Sequence, residues 1–377
     1  MNNKKAQSIL IVGGGIGGLS TAIALRQQGF DVELIELNPE WTVYGVGIIQ
    51  QGNVVREMAR LGVANDCMKH GFSFDKVRLC DGAGNPLAII PGARVAGPDY
   101  PVNMALPRIA LHTILLNKAT ELGTKITLGL TVDSLENGEN KAFVKFSDGR
   151  DGEYDLVIGA DGIFSKIRAL LFGSHLKPKF TGQGGWRCNM PRTQEVDCLT
   201  MYRGRNGGQA GFCPLTNDLM YLLQTTSEPG NPWFDQDKLD VLFKERLAEF
   251  EGPVARARDE FITNPKQVIY KPFETIFLEA PWYQGRFVLI GDAAHATTPH
   301  LGQGAGMAIE DGIVLAEELK AKSVDQALES FMTRRFERCK FIVNSSLQIG
   351  TWELERNHTA DFNGLVQKMV EVTAQPI

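Results

Sequence analysis

The apolar run Ser8–Val12 is short, rich in β-branched residues and breaks into glycines, which predicts a buried strand entering a turn. From Ile16 to Gln28 the apolar positions Leu19, Ile23 and Leu25 follow helical spacing instead, and Gly29 ends that helix. Val32–Leu37 supplies the next strand. Strand, helix and strand in this order make a βαβ unit with parallel strands and a right-handed crossover. Helical patterns return at Val54–Leu61, Ile109–Leu122, Lys238–Phe250 and Gly304–Leu319.

Between about 180 and 270 the texture changes. Leu199–Arg203, Gln209–Phe212 and Leu219–Thr225 read as strands separated by Arg205-Asn206-Gly207-Gly208 and Thr216-Asn217-Asp218, the spacing of an antiparallel sheet. Tyr283–Ile290 then returns to an apolar strand that enters a Gly-Asp turn. The expected fold class is α/β: a Rossmann-type nucleotide-binding domain with an inserted antiparallel-sheet substrate domain and C-terminal helices. The nucleotide-binding part is discontinuous over 1–72, 101–176 and 283–345, the substrate domain spans 73–100 and 177–282, and a helical tail covers 346–377. The basic cluster Arg334, Arg335, Arg338 and Lys340 is expected on a solvated helix face.

A chain of 377 residues has room for about two domains. Its 40 glycines show no period and therefore mark turns and close approaches rather than a fibre. A net charge of −5 without a basic block excludes an electrostatic case for nucleic acid. Cys67, Cys80, Cys188, Cys198, Cys213 and Cys339 are scattered without a C-x-x-C pair, which argues against a disulfide framework and a metal site and for a reducing compartment. Lys4 and Lys5 precede only four apolar residues, shorter than a signal-peptide core of about 7–15, and nothing approaches the ~20 apolar residues of a membrane span. The expected location is the cytoplasm, and monomer and homodimer are both open.

Three motifs carry the chemistry. Gly13-Gly14-Gly15-Ile16-Gly17-Gly18 lies between strand and helix. There Gly13 permits the tight turn, Gly15 lets backbone approach a pyrophosphate, Gly18 lets helix pack on strand, and the helix N-terminus favours phosphate. Glu36, at the end of the second strand, is placed to accept from a ribose 2′-OH, which fits FAD or NAD better than NADP. In the second motif, Asp155-Leu156-Val157-Ile158-Gly159-Ala160-Asp161, a buried strand runs into an acid; Asp161 also has the position of a cap for the helix that starts near Ser165. In the third, Gly285–His295, a strand ends at Gly291-Asp292, and the loop Pro299–Gly304 opens a helix whose N-terminus can stabilise charge on a flavin.

Together these motifs resemble those of the single-component flavoprotein aromatic hydroxylases, the fold of p-hydroxybenzoate hydroxylase, with GDAAH-x-x-x-P loops similar to those of salicylate and FAD-dependent urate hydroxylases. The resemblance runs from Ile9 to about Arg338. It implies a Rossmann-type FAD-binding domain in which Gly13, Gly15 and Gly18 take the pyrophosphate and Glu36 the adenosine ribose. Asp161 falls in the segment associated with FAD and NAD(P)H, Asp292 binds the ribityl and pyrophosphate region, and Pro299, Gly302 and Gly304 line the isoalloxazine. Arg108 resembles the arginine that opens a helix beside the FAD, and Gly47 lies in the loop beside the flavin. Two positions depart from the pattern: Leu37 where a basic residue often follows the ribose acid, and Tyr44 where an arginine often precedes the flavin loop.

The chemistry implied is NADH or NADPH reducing FAD, O₂ adding at C4a, and the resulting hydroperoxide hydroxylating a small aromatic or heteroaromatic ring. One Rossmann fingerprint agrees with resident FAD and a visiting nicotinamide. The catalytic candidates are Tyr221 and Gln209 on the inserted sheet and His300 beside Pro299, while His295 is expected to be structural, behind the cofactor. Other readings are an epoxidase or polyketide-tailoring hydroxylase of the same fold, a plain NAD-dependent dehydrogenase, and a non-catalytic flavin-binding protein. A halogenase is disfavoured because W-x-W-x-I-P does not occur.

Overall fold

The computed structural model describes residues 7–41, 45–357 and 359–377; Lys4, Lys5 and Tyr44 lie outside the described residues. Ser8–Val12, Asp31–Glu36, Lys125–Leu128, Leu156–Gly159 and Phe287–Leu289 form the parallel part of a six-stranded sheet, with Tyr283–Gln284 antiparallel at one edge. Helices cover both faces. Consequently the central strands are apolar without alternation, and Leu10, Ile11, Leu156, Val157 and Ile158 are fully buried.

A second sheet of seven strands runs in the order Val268–Thr275, Lys179–Pro191, Leu219–Ser227, Gln209–Pro214, Leu199–Arg203, Lys76–Asp81, Pro86–Pro91. It is antiparallel except where Leu199–Arg203 pairs parallel with Lys76–Asp81. One face packs on Trp186, Phe212, Phe243 and Phe250; the other turns toward the first sheet's helices and loops.

Four expectations change. The single strand expected over Tyr283–Ile290 is a tight hairpin, because Gly285 at φ +58° reverses the chain between Gln284 and Phe287. The helix expected over Lys238–Phe250 ends at Arg246. A three-stranded sheet over Val132–Asn137, Ala142–Phe146 and Asp151–Tyr154 had no counterpart in the periodicity reading.

The fourth concerns the basic cluster. One helix, Val324–Leu354, runs unbroken through 345 and 346 and is followed by Phe362–Ala374. Helical spacing sets Arg335 and Arg338 one turn apart, both facing the helix Gly304–Ala321. Arg335 is 0% exposed and donates to Asp311 (2.8 Å) and Glu310 (2.7 Å), while Arg338 reaches both Glu310 oxygens at 2.9 and 2.8 Å. Half of the presumed solvated face is therefore a buried ion network.

Candidate cofactor crevice

In the first sheet, the strands 287–289, 156–159, 8–12 and 31–36 are successive neighbours and parallel. Their C-terminal ends consequently share one edge, which brings Asp292, Asp161, Gly13 and Glu36 together across 280 residues of sequence. Gly13 turns the chain at φ +112° so close to the next strand that a Cβ would stand 2.4 Å from the Ala160 carbonyl oxygen. Gly15 is the opposite case. It is exposed, and no atom lies within 4 Å of where its Cβ would be. This is open space directly before the N-terminus of Ile16–Gln27, whose first N–H groups lack helical partners.

Gly15 has φ −73° and ψ −175°, which any residue adopts. We therefore expect Gly15→Val to fold with an unchanged melting temperature while its flavin content falls at least about tenfold, read as visible flavin absorbance per polypeptide. Undiminished flavin would remove Gly15 from the phosphate path.

Glu36 Oε2 accepts from the Gly14 N–H (2.8 Å) and Oε1 from the Asn38 N–H (3.0 Å), so the carboxylate is fixed at the turn with a further lone pair on each oxygen. His112, which the sequence reading missed, bonds the Gly14 carbonyl through Nε2 (2.9 Å) and packs on Trp41. Burial lowers its pKa, favouring the neutral ring. Asp161 caps its own turn: its carboxylate accepts from Ser165 Oγ (2.5 Å) and the Ile167 N–H (3.0 Å), and burial pushes its pKa up. Its backbone, not its side chain, borders Gly13.

Asp292 follows Gly291, which holds φ +56°. Its surface is accessible, yet the surrounding protein is dense enough that burial raises its carboxyl against the pull of His295 and Arg108. Both observations hold for a group that faces a deep crevice. Arg108, at the start of Arg108–Glu121, behaves alike: burial lowers its pKa, Asp292 raises it, and Arg187 lowers it. Among the described residues neither Asp292 nor Arg108 has a side-chain hydrogen bond or ion pair. Accessible charged groups set in dense surroundings, without partners among the described residues, are what a cofactor with hydroxyls and phosphates would satisfy.

The crevice's other walls follow. Gly47 lies against Leu215, and Gly45 against the Arg108 side chain. Pro299 and Gly302 are exposed; Gly302 is left-handed (φ +63°), and Gly304 begins the helix Gly304–Ala321. Gln51 Nε2 donates to the Leu301 carbonyl (3.0 Å) and Asn53 Nδ2 to Gln303 Oε1 (2.9 Å), fixing this loop.

On the seven-stranded sheet, register partners share a face, so Asn189, Tyr221 and Cys213 line one row and Arg187, Leu223 and Gly211 the next. Tyr221 is 4% exposed, in a cluster with Val46, Ala105, Cys213 and Leu215, and burial holds its phenol well above its ordinary pKa, hence protonated. Arg187 makes no hydrogen bond or ion pair among the described residues, and its charge acts on both Tyr221 and Arg108. The only sequence signal for it was a charge inside Trp186-Arg187-Cys188. His300 and Gln209 do come together, but on a residue nobody would pick from periodicity: Glu353 of the last long helix. His300 Nε2 lies 3.2 Å from Glu353 Oε2 and Gln209 Nε2 3.5 Å from Oε1, while His300 Nδ1 pairs with Thr298 Oγ1 at 2.9 Å.

Behind Asp292, fully buried His295 donates toward Asp311 Oδ2 (2.7 Å), which also accepts the Gly291 N–H (2.9 Å). His295, Asp311 and Cys339 have ligand atoms within 4.8 Å of one another. Arg335 occupies the same place, bonding Asp311 and lying 3.4 Å from Cys339 Sγ, so a metal ion would add charge beside a guanidinium. Among the described residues no helix is long and apolar enough to cross a membrane.

A family model described as FAD binding domain matches residues 6–346. YetM of Bacillus subtilis, a protein assigned as an FAD-dependent monooxygenase, is 35% identical over 90% of this chain and 92% of its own. The 6-hydroxynicotinate 3-monooxygenase of Pseudomonas fluorescens is 30% identical, covering 91% of each chain. Among solved structures, Klebsiella pneumoniae HpxO complexed with FAD and uric acid superposes with a TM-score of 0.86 at 23% identity, over 98% of this chain and 97% of that one.

Proposed function

The chain belongs to the FAD-binding-domain family and is a flavoprotein monooxygenase, and from that premise we propose that it hydroxylates a small aromatic or heteroaromatic ring with NAD(P)H and O₂. Bound FAD supplies the redox chemistry, taking reducing equivalents from the nicotinamide and passing one oxygen atom of O₂ to the ring. The protein's share is binding and orientation. Gly15 and the N-terminus of Ile16–Gln27 hold the pyrophosphate, Glu36 the ribose, Asp292 and Arg108 the ribityl–phosphate region, and Pro299–Gly304 the ring system. Gly13 and the Asp161 turn close the floor beneath them.

Opposite this floor stands the polar row of the seven-stranded sheet, which forms the substrate wall. Arg187 stabilises developing negative charge on a ring oxygen, Tyr221 donates a hydrogen bond from a phenol that stays protonated, and Gln209 and His300 fix the far edge. Buried apolar neighbours exclude water from the transfer. The observation that supports the reading most is the pair Asp292 and Arg108, accessible at the surface, set in dense surroundings and without side-chain partners among the described residues. The relatives named for 6-hydroxynicotinate and bound to uric acid point the same way, toward nitrogen heteroaromatics.

The test is a panel of hydroxylated benzoates, pyridines and purines, scored by stimulated NAD(P)H consumption and product mass. A product heavier by one oxygen supports the reading; flavin-loaded protein that no ring stimulates sinks it. Within that assay, Tyr221→Phe keeps the ring that packs on Leu215 and loses only the hydroxyl. We expect NAD(P)H oxidation to continue while most of the oxygen leaves as H₂O₂, so product per NAD(P)H falls several-fold. Unchanged coupling would take Tyr221 off the substrate wall.

A further inference from the structure

Glu353 stands near the end of Val324–Leu354, far in sequence from each cofactor motif, yet it touches both halves of the crevice. Oε2 accepts from Gln183 Nε2 (2.9 Å) and lies 3.2 Å from His300 Nε2 without an aligned hydrogen bond. Among the described residues Oε1 has one distant neighbour, Gln209 Nε2 at 3.5 Å, on the same sheet face as Gly211 and Cys213. The close approach is built into the helix. At Gly350, one turn earlier, a Cβ would stand 2.6 Å from Gln183 Oε1 and 3.0 Å from His300 Cε1.

A side chain only 24% exposed that carries a carboxylate needs donors, and among the described residues Glu353 has two amides. Two further polar atoms beside it, Gln183 Oε1 and His300 Nε2, are buried without hydrogen-bond partners among the described residues, in residues whose exposure is only 3% (Gln183) and, for the His300 side chain, 4%. Acceptor capacity is thus concentrated at one end, on Glu353 Oε1 and Gln183 Oε1. The guanidinium of Arg187, on the same strand as Gln183 and without a hydrogen bond or ion pair among the described residues, supplies the opposite pole.

We propose that Glu353 is a specificity-determining residue of the substrate pocket, which accepts a hydrogen bond from a ring N–H or O–H. The favoured substrates are lactam-type or hydroxylated nitrogen heteroaromatics, donor toward Glu353 and acceptor oxygen toward Arg187. Rings that direct a carboxylate at Glu353 are rejected by like charge. The proposal rests on the reading of this crevice as a hydroxylase pocket.

The test uses flavin-loaded, oxidised protein without NAD(P)H, and follows binding through perturbation of the flavin visible spectrum. The probes are 4-hydroxyquinoline, whose lactam tautomer carries a ring N–H, and 1-methyl-4-quinolone, which lacks it. Wild type is expected to bind the N–H probe at least about tenfold more tightly, since a buried charged acceptor left unpaired discriminates strongly. Glu353→Ala is expected to bring the two Kd values within about twofold, and Glu353→Gln, which keeps the shape and a carbonyl acceptor, to fall between. Flavin content should stay at the wild-type level in both. Equal binding by wild type, a ratio untouched in both variants, or flavin-loaded protein that binds neither probe would each overturn the proposal. Protein that retains no flavin would instead overturn the reading on which it rests.

Discussion

Arg335→Met is expected to lower the free energy of unfolding by about 3–5 kcal/mol, because it removes one partner from a buried charge network and leaves the others behind. The side chain is 0% exposed and bonds Glu310, Asp311 and the Met307 carbonyl. Methionine replaces the volume but none of the donors. Glu310 would keep Arg338, and Asp311 only His295 and the Gly291 N–H. A melting temperature lower by roughly 5 °C follows for a chain of this size. Arg335→Lys retains the charge but not the planar fork and should lie between. The pH of the comparison matters. Burial alone would raise Asp311, but His295 and Arg335 bring it down to about 2, so its contribution is in place above the ordinary ~4 and is lost as pH falls toward 2. For His295 burial disfavours the charge, but Cys339 and Asp311 outweigh it and raise the pKa well above 6.5. Its contribution is complete below ~6.5 and is lost as pH rises through that higher value. Between about pH 4.5 and 6 the full network is present, and melting there should show the largest gap between wild type and variant. A gap under about 1 kcal/mol would mean the network is a passive surface feature.

Asp292→Ala separates binding from folding. Hydrogen bonds to a charged group contribute about 1.5–3 kcal/mol, so FAD affinity should fall by roughly 10- to 100-fold and the purified protein should be nearly colourless. The flavin-free fold should be no less stable than flavin-free wild type, since alanine deletes an enclosed carboxylate that burial already disfavours. Flavin stoichiometry and melting of the apoprotein are the two measurements. A normal flavin content, or a collapse of the apoprotein, would each assign Asp292 a different task.

The parallel sheet and its glycine turn were legible because their signals are local. A buried run such as Leu156–Ile158 is apolar throughout, and Gly13, Gly15 and Gly18 sit at fixed offsets from strand and helix. The longest strand of the second sheet, Lys179–Pro191, was not legible, because Gly182, Gly184 and Gly185 mimic a turn. Their reason is tertiary: the Tyr270 ring fills the place of a side chain on Gly184, with atoms 2.4 Å from a would-be Cβ. Arg335 read as a solvated charge because its partners Glu310 and Asp311 lie on another helix. The same holds at the site. Asp292 and Arg108 stood in recognisable motifs, whereas the roles proposed for Arg187 and Glu353 depend on tertiary placement, the latter on the close approach that Gly350 allows. Distances of 170 residues in sequence, as between Gln183 and Glu353, leave no periodicity to read.

The strand order has one further consequence, for the newborn chain. Residue 8 must wait for residue 156 and then 287 before its sheet is whole, and the helix that carries Arg335 and Glu353 is translated later still. A ribosome will therefore have delivered more than three quarters of the polypeptide before any vitamin-derived prosthetic group can lodge. Loading is therefore expected only after the strand Phe287–Leu289 has been made, and riboflavin starvation should leave empty protein rather than truncated fragments.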